Sequence, residues 1–132
     1  MKYLSLKDIT DNIVIIKINQ SYYDGISADA LYDYTRGIWK RSIKSVSVAD
    51  YALSVANSIV VEVYKIDRWV PATETEFKMR KVDPKRASER IAFVGRVADD
   101  SVRNRYIGKS VACLFKNGAA NPVVSFSKYS NR

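Results

Sequence analysis

Histidine is absent from this chain of 132 residues, and cysteine occurs only once. Without histidine the chain has no Ser-His-Asp triad, no imidazole base and no histidine ligand for a metal. A single cysteine excludes a zinc site of paired cysteines and any disulfide within the chain, which is typical of a reducing environment. We therefore expect a cytoplasmic protein that uses no metal and no cofactor.

Glycine and proline are scarce, with five and three residues, while 47% of the residues are apolar. This composition is typical of a folded domain rather than a disordered chain. No stretch approaches the roughly 18 apolar residues of a membrane-spanning helix, and the N-terminus lacks the apolar core of a signal peptide. The sequence predicts one domain over residues 1–132 with no membrane partner.

What the chain does have is positive charge. It contains 22 Lys and Arg against 14 Asp and Glu, a net charge of +8. The excess is uneven, because residues 1–35 hold three basic and five acidic side chains, whereas residues 101–132 hold six basic side chains and no carboxylate. Such a field attracts phosphates and speeds encounter with them. We predict a nucleic acid or a phosphorylated nucleotide as the partner.

Hydrophobic patterning predicts an α+β fold with a barrel-like, mostly antiparallel sheet of about six strands and two or three short helices. Ser27 is a good N-cap for a helix that ends near Gly37, and a second helix is predicted from Asp99 to Tyr106. Asn57-Ser58 predicts a hairpin between the central strands, the second of which is long enough to carry a bulge. The predicted strands are 12–19, 51–56, 59–70, 90–97, 111–115 and 123–126.

The predicted core is drawn from the apolar positions of these elements. Cys113 lies in the apolar run of the fifth strand, so we expect its thiol to be buried and inert. The predicted core residues are Ile13, Ile15, Leu31, Leu53, Val55, Val61, Val63, Phe93, Val111 and Leu114.

Residues 72–89 differ in character from the rest of the chain. A polar stretch is followed by six basic side chains between Lys78 and Arg90, around Pro84. We predict a mobile basic loop on the surface that adds long-range attraction for phosphates.

Two patterns that could carry enzymatic chemistry are weak. Gly108-Lys109-Ser110 resembles the end of a P-loop, but Arg103 stands where that motif needs its first glycine, so the backbone cannot wrap a triphosphate. The carboxylates form no diagnostic pair for acid–base catalysis. We therefore predict a non-enzymatic protein.

Aromatic and basic side chains interleave over residues 32–41 and again over residues 64–69. An aromatic face can stack on a base while Arg or Lys binds phosphate, so the pattern predicts a ligand-binding cleft. The alternative is that both tryptophans are core residues. The predicted ligand-binding residues are Tyr34, Arg36, Trp39 and Lys40 at one rim, Arg68 and Trp69 opposite, and Arg103, Arg105 and Lys109 as phosphate contacts. No carboxylate follows the last three in the chain, so we expect their charges to be available for phosphate.

Several segments resemble a largely uncharacterised family of small bacterial and phage proteins. They are 34–39 (YTRGIW), 50–56, 59–71, 90–95 and 106–111. The strand pair around residues 59–63 is also similar to the central hairpin of PUA-like domains of the ASCH and EVE kinds. That resemblance implies a small barrel-like fold that binds RNA, modified DNA bases or nucleotides in an aromatic-lined cleft. The insert at 72–89 has no fixed counterpart in it.

Three functions remain open at this point. The leading one is a non-enzymatic binding module for nucleic acid or a phosphorylated nucleotide. A second is a phage-type regulator that sequesters a nucleotide signal or inhibits a host protein, with a homo-oligomer forming pockets at subunit borders. The third is a weak nuclease or hydrolase. A basic structural protein without a ligand is the plainest alternative.

Overall fold

The computed structural model describes residues 2–115 and 121–126, which form one five-stranded sheet with four short α-helices. The strands are β1 (Ile13–Lys17), β2 (Tyr51–Ala56), β3 (Ile59–Pro71), β4 (Ile91–Val97) and β5 (Val123–Phe126). The α-helices are α1 (Ala28–Arg36), α2 (Ile43–Val46), α3 (Pro84–Ala87) and α4 (Asp100–Tyr106). Short 3-10 turns occupy Leu6–Asp8, Ala72–Glu74 and Ala112–Leu114.

The strands lie in the order β4-β3-β2-β1-β5. β1 and β2 run parallel, joined by a connection that contains α1 and α2, and the other three pairings are antiparallel. Among the described residues β4 and β5 do not pair, so this sheet is open at both edges. The α+β class is therefore confirmed. The described residues contain five strands where about six were predicted, and closure into a barrel stays a prediction.

Both faces of the sheet are covered, because neighbouring residues of a strand point to opposite sides. One face carries Ile13, Ile15 and Leu53 and packs against Val102 and Tyr106 of α4. We call it the α4 face. The other face packs against α1, α2 and the two tryptophans, and we call it the α1 face. Its buried strand residues include Val14, Ile16, Ala52, Tyr64 and Phe93.

Most of the predicted core residues are buried, whereas Leu31, Val61 and Leu114 are only half-buried. The predicted helix starts are correct, since the Ser27 hydroxyl accepts a hydrogen bond from the Ala30 amide at 3.1 Å. The hairpin at Asn57 and Ser58 is confirmed as well, and both residues have positive φ angles of 51° and 67°. These features depend on neighbouring residues, which a sequence displays directly.

The long strand β3 carries the predicted bulge, between Ile66 and Arg68, where its register with β4 shifts. Gly95 of β4 lies beside this irregularity. A Cβ atom at Gly95 would lie 2.0 Å from the carbonyl oxygen of Lys65, so the two backbones approach too closely for any side chain there.

The predicted strand at 111–115 is wrong. Ala112–Leu114 form a 3-10 turn, and Cys113 is exposed rather than buried. A short apolar run does not distinguish a strand from a helical turn by periodicity alone. Here the Val111 amide donates to the Ser58 carbonyl oxygen at 2.8 Å, and the chain turns immediately afterwards.

The segment 72–89 is folded onto the sheet rather than fully exposed. Ala72 and Ala87 are buried with Ile38 and Ala92 in a small cluster of their own. The Asp33 carboxylate accepts a hydrogen bond from the Met79 amide at 2.6 Å. The mobility of this segment stays a prediction. In the part of the chain that the structure describes, no helix combines the length and apolarity needed to cross a bilayer.

Candidate anion-binding site

A concentration of positive charge lies in a surface cleft of about 220 Å³ between residue 40 and the segment that contains α3. Four basic side chains and one carboxylate line it, and we call it the basic cleft. Its lining residues are Lys40, Lys85, Arg86, Ser88, Glu89 and Arg90. All four cations come from two stretches of chain that are far apart in sequence, so only the fold brings them together.

Backbone hydrogen bonds fix the two walls of the basic cleft. Trp39 and Ile91 exchange hydrogen bonds of 2.9 and 3.0 Å, which hold residues 38–40 alongside the start of β4. On the other wall, Pro84 occupies the first turn of α3, where its missing N–H costs nothing. The Asp83 side chain caps this helix by accepting from the Lys85 amide at 3.0 Å. Burial of Ala87 then leaves the neighbouring cations facing solvent.

The cations of the basic cleft have no acidic partners within the described residues. In the four ion pairs among the described residues, the basic partner is always Arg96, Arg103 or Arg105. No carboxylate oxygen within residues 2–115 or 121–126 comes within 4.0 Å of the four cleft cations. The four positive charges and the single negative charge of Glu89 give the lining of the cleft a net charge of +3, so the cleft has the electrostatic character of an anion-binding site.

Arg80 adds a further positive charge near Arg86 of the basic cleft. Its guanidinium lies over the rings of Tyr34 and Phe77, at 5.4 and 5.6 Å from their centroids, and donates to the Gly37 carbonyl oxygen at 2.8 Å. Burial lowers the pKa of Arg80, and the nearby charge of Arg86 lowers it further. Arginine nevertheless stays protonated in proteins, so the repulsion between Arg80 and Arg86 persists.

Arg36, a predicted ligand contact, is buried and bonded within the chain. Its Nε donates to the Phe93 carbonyl oxygen at 2.9 Å, and its two terminal nitrogens donate to the Glu76 carbonyl and the Thr75 hydroxyl at 2.8 and 2.6 Å. The rings of Tyr32 and Phe77 lie 5.0 and 4.5 Å from the guanidinium carbon. Through these hydrogen bonds, Arg36 at the end of α1 links the helix to β4 and to the segment 72–89.

Trp39 is half-buried on the α1 face, and its indole N–H donates to the Thr35 carbonyl oxygen at 2.9 Å. The ring also lines a second concavity, of about 470 Å³, which we call the Trp39 pocket. The other lining residues of this pocket are Lys17, Ile18, Asn19, Gln20, Ser21 and Pro122. Trp39 thus combines both roles considered for it, core packing and the wall of a cavity.

Trp69 is half-buried and packs edge-on against Phe93, with ring centroids 5.4 Å apart. Its indole nitrogen is buried and has no hydrogen-bond partner among the described residues. Arg68 is exposed and, as the neighbouring strand residue, points to the other face of the sheet. The structure therefore places Trp69 in the same aromatic cluster as Trp39, and neither Arg68 nor Trp69 lines the basic cleft.

The predicted phosphate contacts on and after α4 lie on the α4 face, away from the two tryptophans. Arg103 donates to Glu62 at 2.8 Å and to Asp100 at 2.9 Å, and Arg105 donates to Asp11 at 2.8 Å. Hydrogen bonds to these carboxylates raise the pKa of both arginines.

The expectation that these cations lack acidic neighbours is therefore wrong for Arg103 and Arg105. Lys109 has a different partner, since its Nζ donates to the Arg105 carbonyl oxygen at 2.7 Å. Glu62 and Asp11 come from distant parts of the chain, so the absence of carboxylates after residue 100 did not predict whether these arginines would be neutralised. The predicted ligand-binding residues did not include Lys85, Arg86 and Arg90, although the basic segment 78–90 that contains them was predicted to attract phosphates. That density of basic residues was the signal for including them in the site.

No family model matches this chain, and neither a curated protein nor a solved structure matches it. Within the described residues, no three His, Cys, Asp or Glu side chains are grouped as a metal site requires. Function has to be argued from the site itself.

Proposed function

We propose that this protein is a non-enzymatic module that binds nucleic acid through its phosphate backbone. The observation that carries the proposal is the basic cleft, in which Lys40, Lys85, Arg86 and Arg90 converge with no ion pair among the described residues. We also propose a PUA-like, barrel-related architecture, which the long central hairpin and the helices on both faces of the sheet support.

Phosphate suits this cleft for two physical reasons. Arginine presents a planar fork that can donate two parallel hydrogen bonds to phosphate oxygens, and lysine adds a mobile point charge. Binding also releases the counterions condensed on a polyanion, which gives a steep dependence of affinity on salt. The unevenly distributed net charge of +8 adds long-range attraction toward the same kind of partner.

The test compares two variants of equal charge. Lys85→Gln with Arg86→Gln removes two cations of the basic cleft, and Lys2→Gln with Lys7→Gln removes two exposed cations elsewhere. Fluorescence anisotropy of a labelled oligonucleotide, measured across a range of salt concentrations, gives the slope of log affinity against log salt. Loss of two phosphate contacts lowers the magnitude of that slope by roughly 1.4 to 1.8.

We expect this change in the cleft variant and a much smaller one in the control. Equal slopes in both variants would show that the basic cleft is not the binding surface. Saturation by one free nucleotide with a shallow salt slope would favour the regulator that sequesters a nucleotide signal. Turnover of the oligonucleotide would favour a nuclease.

A further inference from the structure

We infer that the nucleic acid is single-stranded and that one of its bases enters the Trp39 pocket while a neighbouring phosphate binds in the basic cleft. This inference rests on the proposed function. It adds the class of nucleic acid and a second, base-binding subsite to it.

The two concavities lie on opposite sides of one extended stretch of chain. Residues 38–40 run alongside β4, and their side chains alternate as in a strand. Ile38 packs with Ala87 of α3, and Lys40 lines the basic cleft with the same helix. Trp39, between them, points to the α1 face and lines the Trp39 pocket. A phosphate subsite and an aromatic subsite are therefore built on consecutive residues.

The Trp39 ring is held in place in a way that suits stacking. Its N–H donates to the Thr35 carbonyl oxygen at 2.9 Å, so the polar edge of the indole is already bonded within the protein. Stacking on a base needs only a ring face, and every base has a face to offer. The concavity of about 470 Å³ is within the range of small-molecule sites.

Polar side chains on the wall of the Trp39 pocket can bind the edge of a base. Asn19, Gln20 and Ser21 supply amide and hydroxyl groups there. The Asn57 amide donates to Asn19 Oδ1 at 2.8 Å, which fixes the orientation of the Asn19 side chain. Lys17, also on this wall, adds positive charge on the α1 side of residues 38–40.

The placement of the two subsites favours a single strand over a duplex. Trp39 and Lys40 are consecutive, but their side chains point to opposite sides of the extended stretch, so a strand that reaches both subsites has to bend around residues 38–40. A flexible single strand can make this bend, whereas a duplex is stiff over such a distance. In a duplex the base is stacked and paired, so moving it into the pocket costs the free energy of breaking that pair, whereas in a single strand no pair has to be broken. A free mononucleotide would fill the Trp39 pocket but would leave most of the four cleft cations without phosphate.

Because the chain contains only two tryptophans, fluorescence can report on each separately. Trp69→Phe leaves Trp39 as the single emitter, and Trp39→Phe leaves Trp69. Each variant is titrated with an unlabelled thymidine oligonucleotide of about ten residues, a length in the range of single-strand sites. We expect quenching in the Trp69→Phe protein and none in the Trp39→Phe protein at equal occupancy, which anisotropy of a labelled strand measures in parallel.

Affinity gives the second measurement. Trp39→Leu should weaken single-strand binding by roughly 5- to 150-fold and leave duplex binding unchanged, because only the unpaired strand loses a stacked base. Ser21→Phe, which fills the Trp39 pocket and keeps the indole, should produce the same loss if Trp39→Leu does not fold. The native protein should bind the single strand more tightly than a duplex of equal length or a mononucleotide.

The outcomes separate the two proposals. Equal affinity for single strand and duplex, with no quenching of Trp39, would overturn the inference and leave phosphate binding in the basic cleft intact. Equally tight binding of a mononucleotide would make a free nucleotide the ligand instead of a strand. If no polyanion binds, or if the Lys85→Gln with Arg86→Gln variant binds like the native protein, the proposed function itself fails and the inference fails with it.

Discussion

The Nε atom of Arg36 donates a hydrogen bond of 2.9 Å to the carbonyl oxygen of Phe93, on the outer edge of the sheet. The same edge is bonded two residues away on either side. Ile91 exchanges hydrogen bonds with Trp39, and the Gly95 amide donates to the Tyr32 hydroxyl oxygen at 2.9 Å. An uncovered edge strand exposes backbone groups that can pair with other chains. α1 and the residues after it therefore protect β4 from association.

Replacement of Arg36 tests whether its hydrogen bonds stabilise the fold. Arg36→Met removes three hydrogen bonds from a charged group to buried or half-buried acceptors, so we expect the free energy of unfolding to fall by about 2–4 kcal/mol. Arg96→Met, at an exposed ion pair with Asp67, should change it by less than about 1 kcal/mol. Urea denaturation measures both. Equal stability of the two variants would contradict the role assigned to Arg36.

Gly95 is predicted to tolerate no side chain. A Cβ atom there would lie 2.0 Å from the Lys65 carbonyl oxygen, which belongs to the backbone and cannot rotate away. We expect Gly95→Ala to cost about 3 kcal/mol or more, because the β3–β4 pairing has to shift. Gly25→Ala is the matched control, since nothing lies within 4 Å of the added carbon and only its φ of +84° is unfavourable, at about 1–2 kcal/mol. Thermal denaturation of both variants decides the point, and a Gly95→Ala protein as stable as the control would disprove it.

Repulsion between Arg86 of the basic cleft and Arg80 predicts how stability responds when the Arg86 charge is removed. Arg86 contributes to lowering the pKa of Arg80, which means that the two charges disfavour each other. Arg86→Gln should therefore leave the free energy of unfolding unchanged or raise it slightly, and added sulfate or heparin should raise the thermal midpoint of the native protein more than that of the variant. A variant that is clearly less stable than the native protein would show that Arg86 is held by stabilising contacts instead.

Alkaline pH should destabilise the protein through its buried tyrosines. Burial, followed by the 2.6 Å hydrogen bond to Asp11, raises the pKa of Tyr106 from 10.0 to about 12, and burial also raises the pKa of Tyr64. The unfolded chain loses the Tyr106 proton near pH 10 while the folded protein keeps it, so this contribution is complete below pH 10 and is lost as the pH rises toward 12.

Tyr106→Phe removes one of these titrations and provides the comparison. Chemical denaturation between about pH 9 and about pH 12 should show a shallower loss of stability in the variant than in the native protein. The slopes are compared, not the absolute values, because the variant also lacks the hydrogen bond to Asp11. Identical slopes would mean that Tyr106 does not titrate differently in the two states.

The parts of the fold that were predictable are those that neighbouring residues decide. The Ser27 cap, the hairpin at Asn57-Ser58 and the β-branched run of β1 all follow from the side chains in a short window. The run at 111–115 was equally apolar, yet Ala112–Leu114 form a 3-10 turn. Hydrogen bonds to residues 2–4 and 58–60 hold the chain at 108–111, and it turns immediately after Val111.

The residues of the candidate site were likewise predictable only in part. Lys40 and Trp39 were recognisable from the interleaving of aromatic and basic residues, and the structure places them on the walls of two separate concavities. Arg36 carried the same signal but is used within the fold, because Thr75, Glu76 and Phe93 all supply acceptors to it. No local pattern distinguishes an arginine that faces solvent from one that faces buried carbonyl groups.

The sequence alone determined the α+β class, the central hairpin and the basic character of the protein, since composition and short-range periodicity carry that information. Only the tertiary structure decided which cations are free to meet a ligand. Arg103 and Arg105 are neutralised by Glu62 and Asp11, which lie 41 and 94 residues away along the chain. The cations of the basic cleft meet no such partner among the described residues. An ion pair forms only between charges a few ångströms apart, so charges distant in sequence can neutralise each other only when the chain folds.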